Sequence, residues 1–255
     1  MGSLCRFSFY AYLCKTKIKR KMKKVVLLTG AGMSAESGFS TFRDSQGLWE
    51  KHSVEDVATP EGWERNPDMV TDFYNSLRHD LITGKPNQGH YDVAALEKDY
   101  EVVVVTQNVD DLHERAGSTN VIHLHGELMK MCSTRNPNDP RYIRTLQPEE
   151  WEVPRGTKCE DGSLLRPWIV FFGEPVPNLE AAAREVSEAD AFLIVGTSMV
   201  VYPAASLIHY AKPDIPVLLV DPKPVQVPSS RQVEVIQDVA SKGVAKAAEM
   251  LKRLL

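Results

Sequence analysis

The chain has 255 residues, 43% of them hydrophobic and 25% charged, with a formal net charge of −4. That size and balance argue against a disordered chain and allow one large domain, or a large and a small one. Residues 1–24 hold eight Lys or Arg and no acid, which leaves −12 on the remainder; an acidic body argues against a nucleic-acid groove and suits cationic partners such as lysine-rich peptides.

Residues 1–21 are basic and aromatic. They are expected to form a disordered N-terminal extension, with a targeting segment or membrane-surface patch as the alternative. A compact domain is expected over 22–255. Apolar runs predict strands at 24–29, 101–106, 121–125, 167–172, 191–196, 216–221 and 233–236; most are apolar throughout, as strands of a parallel sheet covered on both faces are. Helical spacing fits 67–82, 90–99, 178–189, 203–212 and 240–254, the first opened by Asn66-Pro67. The alternation predicts an α/β fold, a doubly wound parallel sheet of Rossmann type. Two stretches break the rhythm, 40–90 and the proline-rich 130–166, and are expected to build a smaller inserted module. No run reaches the ~20 apolar residues that a spanning helix requires, so no membrane partner is expected. Cys5, Cys14, Cys132 and Cys159 are too few and too scattered for a disulfide framework, which points to a reducing cytoplasm.

Chemistry gathers where strands end. Gly30, Gly32 and Ala35 stand at G-x-G-x-x-A spacing after the first strand, where a glycine turn lets backbone N–H groups approach a pyrophosphate. A tight turn alone explains the same glycines. The acidic residue expected about 20 positions later is missing, because "LWEKHSVEDVATP" is no strand, so an ordinary dehydrogenase is excluded. Asp221, closing a late strand, is the better ribose candidate, and Gly196, Thr197 and Ser198 form a second nucleotide-contacting turn. Gln107, Asn108, Asp110 and Asp111 crowd the end of the all-Val strand; they read as a solvated N-cap or as a ligand site. In "HLHG", His123 and His125 face opposite ways if extended, and His125, beside the glycine, is the candidate general base.

Five blocks in order, "GAGMSAESGFSTFRD", "TQNVDDLHERAG", "HLHGEL", "LRPWIVFFGE" and "VGTSMVVYPAA", resemble the sirtuin family of NAD-dependent protein lysine deacylases, and residues 46–75 are similar to its bacterial branch. The resemblance implies that NAD is consumed as a co-substrate, with the acyl group passing from lysine to ADP-ribose as nicotinamide leaves. It implies a cofactor site of Gly30, Ala31, Gly32, Ser34, Ala35, Phe42, Arg43, Gln107, Asn108, Asp110, His125, Gly196, Thr197, Ser198, Asp221 and Ala240. In it Phe42 and Arg43 close over the nicotinamide ribose, Asn108 and Asp110 orient the ribose and the nicotinamide amide, and His125 is the base. Val170, Phe171, Phe172, Gly173 and Glu174 become the strand to which an acyl-lysine peptide pairs. Mono-ADP-ribosyl transfer, NAD hydrolysis and a non-catalytic NAD-binding module are the rival readings. The protein is expected to be a monomer.

Two departures from the family pattern matter. The family's zinc is held by two Cys-x-x-Cys pairs, but here Cys132 is followed by Arg135 and Cys159 by Gly162, so no metal is expected and Trp151, Trp168 or charge pairs are left to hold the module. The branch that removes acidic acyl groups carries Tyr-x-x-Arg; here Tyr74 is followed at that position by Leu77, with Arg78 one residue later. Tyr74 and Arg78 are the candidate acyl contacts, and a neutral acyl group is expected to be preferred, as Asp44 after Phe42-Arg43 also suggests.

Overall fold

The structure, a computed structural model, describes residues 22–39 and 52–255. The expectations for residues 1–21 and for Phe42, Arg43 and Asp44 lie outside the described residues. Along the chain, β1 (Lys24–Thr29) runs into a single helical turn, α1 (Ala31–Ser34). Helices α2 (Val54–Val57), α3 (Pro60–Arg65), α4 (Pro67–Thr83) and α5 (Gln88–Ala95) precede β2 (Glu101–Thr106), α6 (Leu112–Ala116) and β3 (Val121–His123). Then come β4 (Gly126–Ser133), β5 (Ile143–Thr145), β6 (Leu165–Ile169), α7 (Leu179–Glu188), β7 (Ala191–Val195), β8 (Val217–Val220), β9 (Glu234–Ile236) and α8 (Ala240–Leu254).

Six strands form a parallel sheet in the order β3-β2-β1-β7-β8-β9. Alternation along β1 sends Val25 and Leu27 to one face, against Val93 of α5 and Val244 and Leu251 of α8. Val26 and Leu28 go to the other, against Ala182 and Val186 of α7 and Leu207 of the 3₁₀ segment Ala204–Tyr210. Both faces are therefore covered, which is why the strands read as unbroken apolar runs. The chain winds outward from β1 to β3, then returns to β7 on the far side of β1. The carboxyl ends of β1 and β7 flank that reversal, where an open α/β sheet offers a crevice to ligands.

A second sheet, antiparallel in the order β5-β4-β6, packs on α4 through Phe73, Tyr74, Leu128, Ile169 and Phe171. The N-cap expected at Asn66 is present, its side chain accepting from Met69 N at 3.1 Å. Three expectations need correction, and one strand was not foreseen. The run 167–172 is not a strand of the parallel sheet; β6 spans 165–169 in the small one. The strand expected through 125 stops at His123, because the chain turns at Leu124 and His125 to start β4. That strand β4 was missed, since its alternation is blurred by Lys130 and by a register shift between Gly126 and Met131. The segment 203–212 is 3₁₀ rather than α-helical.

Candidate NAD and acyl-transfer site

The cradle is two interlocked backbone turns. Gly30 N donates to Val195 O (3.0 Å) and Gly32 N to Gly196 O (2.9 Å). Gly196 has φ +62°, and a Cβ there would stand 2.3 Å from Met33 N, so only glycine lets the turns meet. Ala31 and Ala35 flank this turn in sequence, with Ala35 exposed. The helix behind the glycines is one turn long, not the full helix a dinucleotide fingerprint usually opens.

A buried polar relay joins the cradle to the end of β2. Thr29 Oγ1 donates to Thr106 Oγ1 (2.9 Å), which also accepts from Asn108 N (3.0 Å). Asn108 Nδ2 donates to Ser34 Oγ (3.0 Å), and Ser34 Oγ donates to Asp110 Oδ2 (2.8 Å). Asp110 Oδ1 accepts from Leu112 N at 3.1 Å. Burial raises the Asp110 carboxyl above its ordinary range, against the pull of the Ser34 and Leu112 hydrogen bonds. Gln107 Nε2 donates to Thr197 Oγ1 (3.0 Å), tying the ends of β2 and β7. Beyond Thr197 and Ser198, Met199 has φ +56°, a left-handed conformation rare outside glycine.

His125 lies in the turn after β3. Its Nδ1 is 3.0 Å from Gln107 O, and a carbonyl can only accept, so Nδ1 carries the hydrogen and Nε2 keeps its lone pair. Burial lowers its pKa, partly offset by the Gln107 carbonyl, so the neutral base prevails at neutral pH. The turn is pinned from below, Val170 N donating to His125 O at 3.0 Å.

Asp221 sits at the end of β8, where its side chain accepts from Lys223 N at 2.8 Å. Ala240 is buried at the start of α8, packed on Gly89 so closely that a Cβ on Gly89 would be 2.9 Å from Ala240 O. Tyr74 is buried among Phe73, Leu77 and Phe171, with ring centroids 5.2 Å from Phe73 and 6.3 Å from Phe171.

Arg78 is corrected as a substrate contact. Its side chain is fully buried, donating to Leu128 O (2.9 Å), Asn75 Oδ1 (2.6 Å) and Met131 Sδ (2.9 Å). Arg78 stays on the Tyr74 side of α4, one turn on, but its guanidinium is committed to Leu128, Asn75 and Met131. Residues 170–174 are corrected as a strand. They form a turn in which Phe172 N donates to Ala58 O (2.8 Å), and Glu174 accepts from Phe171 N (2.9 Å) while gripping Arg166 with both oxygens (2.9 Å each). Phe172 and Gly173 form its exposed tip.

Where the family pattern has zinc, Asp161 accepts from Ser133 Oγ (2.5 Å), Ser163 Oγ (2.7 Å), Ser163 N (3.0 Å) and Asn136 Nδ2 (3.1 Å). Among the described residues, no group of three or more His, Cys, Asp or Glu is placed to hold a metal. Burial pushes the Cys132 thiol up to about 11, which disfavours the thiolate a metal would need. Trp151 packs on His79 (5.0 Å) and Lys130 lies over Trp168 (5.1 Å).

A Sir2 family profile matches residues 30–203. The chain belongs to the Sir2 family. An NAD-dependent protein deacylase of Bacteroides thetaiotaomicron is 57% identical over 234 residues, 92% of this chain and 98% of its own. The crystal structure of a Sir2 homologue–NAD complex superposes with TM-score 0.79 at 36% identity, over 91% of this chain and 90% of that one. A Sir2 variant with a deacetylated p53 peptide and 3'-O-acetyl-ADP-ribose superposes with TM-score 0.73 at 29% identity, over 90% of this chain and 94% of that one. Two residues of this Sir2 protein's relay, Thr29 and Thr106, were not singled out from the sequence. Thr29 and Thr106 end their strands at paired positions, a signal visible only once the strands are aligned.

Proposed function

We propose that the protein is an NAD-dependent protein lysine deacylase that transfers a neutral acyl group from lysine to ADP-ribose. The observation that carries this reading is a free imidazole nitrogen on His125 beside the Ser34–Asn108–Asp110 relay and the glycine cradle. Mere cofactor binding has no use for a base held in one tautomer. NAD supplies the ribose that accepts the acyl group and the nicotinamide that departs. The cradle, whose turns leave no room for a Cβ, fits a pyrophosphate lying against backbone. In this reading Gln107 and Asn108 hold the ribose, Asp110 and Ser34 orient the amide, and His125 Nε2 takes a proton from a ribose hydroxyl. Phe42 and Arg43 are assigned to closing over the ribose. The exposed Phe172–Gly173 tip is assigned to the peptide.

The acyl preference follows from Leu77 in the Tyr74 cluster and from Arg78 being committed elsewhere. Among the described residues, the cations that act on Tyr74 are engaged elsewhere, Arg78 with Leu128 O and Asn75 and Arg166 with Glu174, so the desolvation of a carboxylate there is poorly offset. The few cysteines support a cytoplasmic setting, and no described helix is long and apolar enough to cross a membrane. The test is mass spectrometry of acetyl-, other neutral acyl- and succinyl-lysine peptides with NAD. Free lysine and acylated ADP-ribose are expected, and His125→Ala is expected to lower kcat by about 10²–10⁴-fold while NAD affinity stays within a few-fold. Nicotinamide release that needs no acyl-lysine would favour NAD hydrolysis instead.

A further inference from the structure

His123 and His125 lie two residues apart and differ in their proton inventories. His125 has one carbonyl partner on Nδ1. His123 has an acceptor on each nitrogen: Nδ1 is 3.1 Å from Asn108 O, and Nε2 is 2.8 Å from Glu114 Oε1. Neither a carbonyl nor an ionised carboxylate can donate, so both ring nitrogens carry hydrogen. The residue is buried, 7% exposed. Asn178 Nδ2 fixes its backbone by donating to His123 O at 2.9 Å.

We propose that His123 is a standing imidazolium, kept protonated by Glu114, that holds the Asn108 backbone in place and offsets the buried charge of Asp110. Glu114 is thus a positioning residue for acyl transfer. The roles of Asn108 and Asp110 in this inference rest on the deacylase reading. The charged and titratable groups around His123 come from several elements: Glu114 and His113 on α6, Glu127 on β4, and Asp110 on the loop after β2. The Arg166–Glu174 pair shares a small cavity wall with it. Burial opposes the charge on His123, but the Glu114 carboxylate, supported by Glu127 and the Asn108 carbonyl, outweighs it and raises the pKa above the ordinary imidazole value. His123 in turn is one of the groups that lower the burial-raised Asp110. The positioning charge is therefore complete below the ordinary imidazole pKa and is lost as pH rises through the raised one.

Two measurements on the full chain test this. In ¹⁵N-labelled protein, long-range proton–nitrogen correlation at about pH 7.5 is expected to show both ring nitrogens of His123 protonated and His125 neutral. A neutral His123 there overturns the proposal. In the second, kcat/KM for NAD with an acetyl-lysine peptide is followed from about pH 6 to 9. Glu114→Gln is expected to move the alkaline limb down by about one unit, a loss of about tenfold at the basic end and less than about twofold near pH 6, with Glu114→Asp restoring most of it. An equal loss at every pH, as a merely structural role would give, or no loss, overturns it. If the wild-type chain frees no lysine from any acyl peptide, the deacylase reading fails instead, while NAD affinity by calorimetry and the nitrogen spectra still judge His123.

Discussion

Replacing Gly196 by alanine tests whether the cradle depends on two backbones in contact. The new Cβ would lie 2.3 Å from Met33 N and 2.5 Å from Gly32 C, whereas ordinary contacts begin near 3.4 Å. One turn must retreat by about an ångström, in a packed core where such overfilling costs about 1–3 kcal/mol. The left-handed φ of +62° adds about 1–2 kcal/mol for any residue with a Cβ. The sum, about 2–5 kcal/mol, corresponds to a Tm lower by roughly 5–15 °C in a domain of this size. The retreat also breaks the 2.9 Å bond from Gly32 N to Gly196 O and shifts the surface assigned to the pyrophosphate. An ångström of misplacement is expected to weaken NAD binding by about 10–100-fold. Gly156→Ala is the control, because φ is +72° but no atom lies within 4 Å of its Cβ. It carries the backbone strain alone, about 1–2 kcal/mol, and is expected to leave NAD affinity unchanged. Differential scanning calorimetry and titration calorimetry read the two effects. Equal melting temperatures and wild-type NAD affinity for Gly196→Ala would refute the interlocked cradle.

Leu77→Arg is expected to narrow or invert the acetyl-over-succinyl ratio in kcat/KM, set at about tenfold or more in the wild type, whereas Arg78→Lys is expected to lower Tm and leave that ratio alone; a ratio that follows Arg78 would return it to the acyl pocket. Asp161, whose carboxyl is held far below its ordinary range by the Ser133 and Ser163 hydrogen bonds, contributes stability above about pH 4 that is lost as pH falls through its depressed pKa. Asp161→Asn should therefore lower Tm at neutral pH, with the gap to wild type closing in acid; a gap independent of pH would contradict this. Chelators should leave Tm unchanged, and elemental analysis should find far less than one zinc per chain, whereas stoichiometric zinc would refute a module held by Asp161 and packing.

Much of the large sheet was legible in the sequence, because a strand covered on both faces has to be apolar where it is covered, as β7, β8 and the interiors of β1 and β2 are. The glycines of the cradle and the polar cluster of 107–110 were legible for a related reason. Close backbone approach admits only glycine, and polar residues directly after a buried strand need partners. The small module was harder. Its strand β4 mixes faces, and the run 167–172, which overlaps β6, resembles a strand of the parallel sheet because both are apolar; which sheet a strand joins is decided by its neighbours. Arg78 and His123 show the limit most clearly. Whether a buried cation meets a ligand or a carbonyl, and whether an imidazole is a base or a standing charge, depends on atoms about 3 Å away that come from distant parts of the chain. Local sequence specifies which groups can donate and accept, and only the packed fold brings each donor to its acceptor.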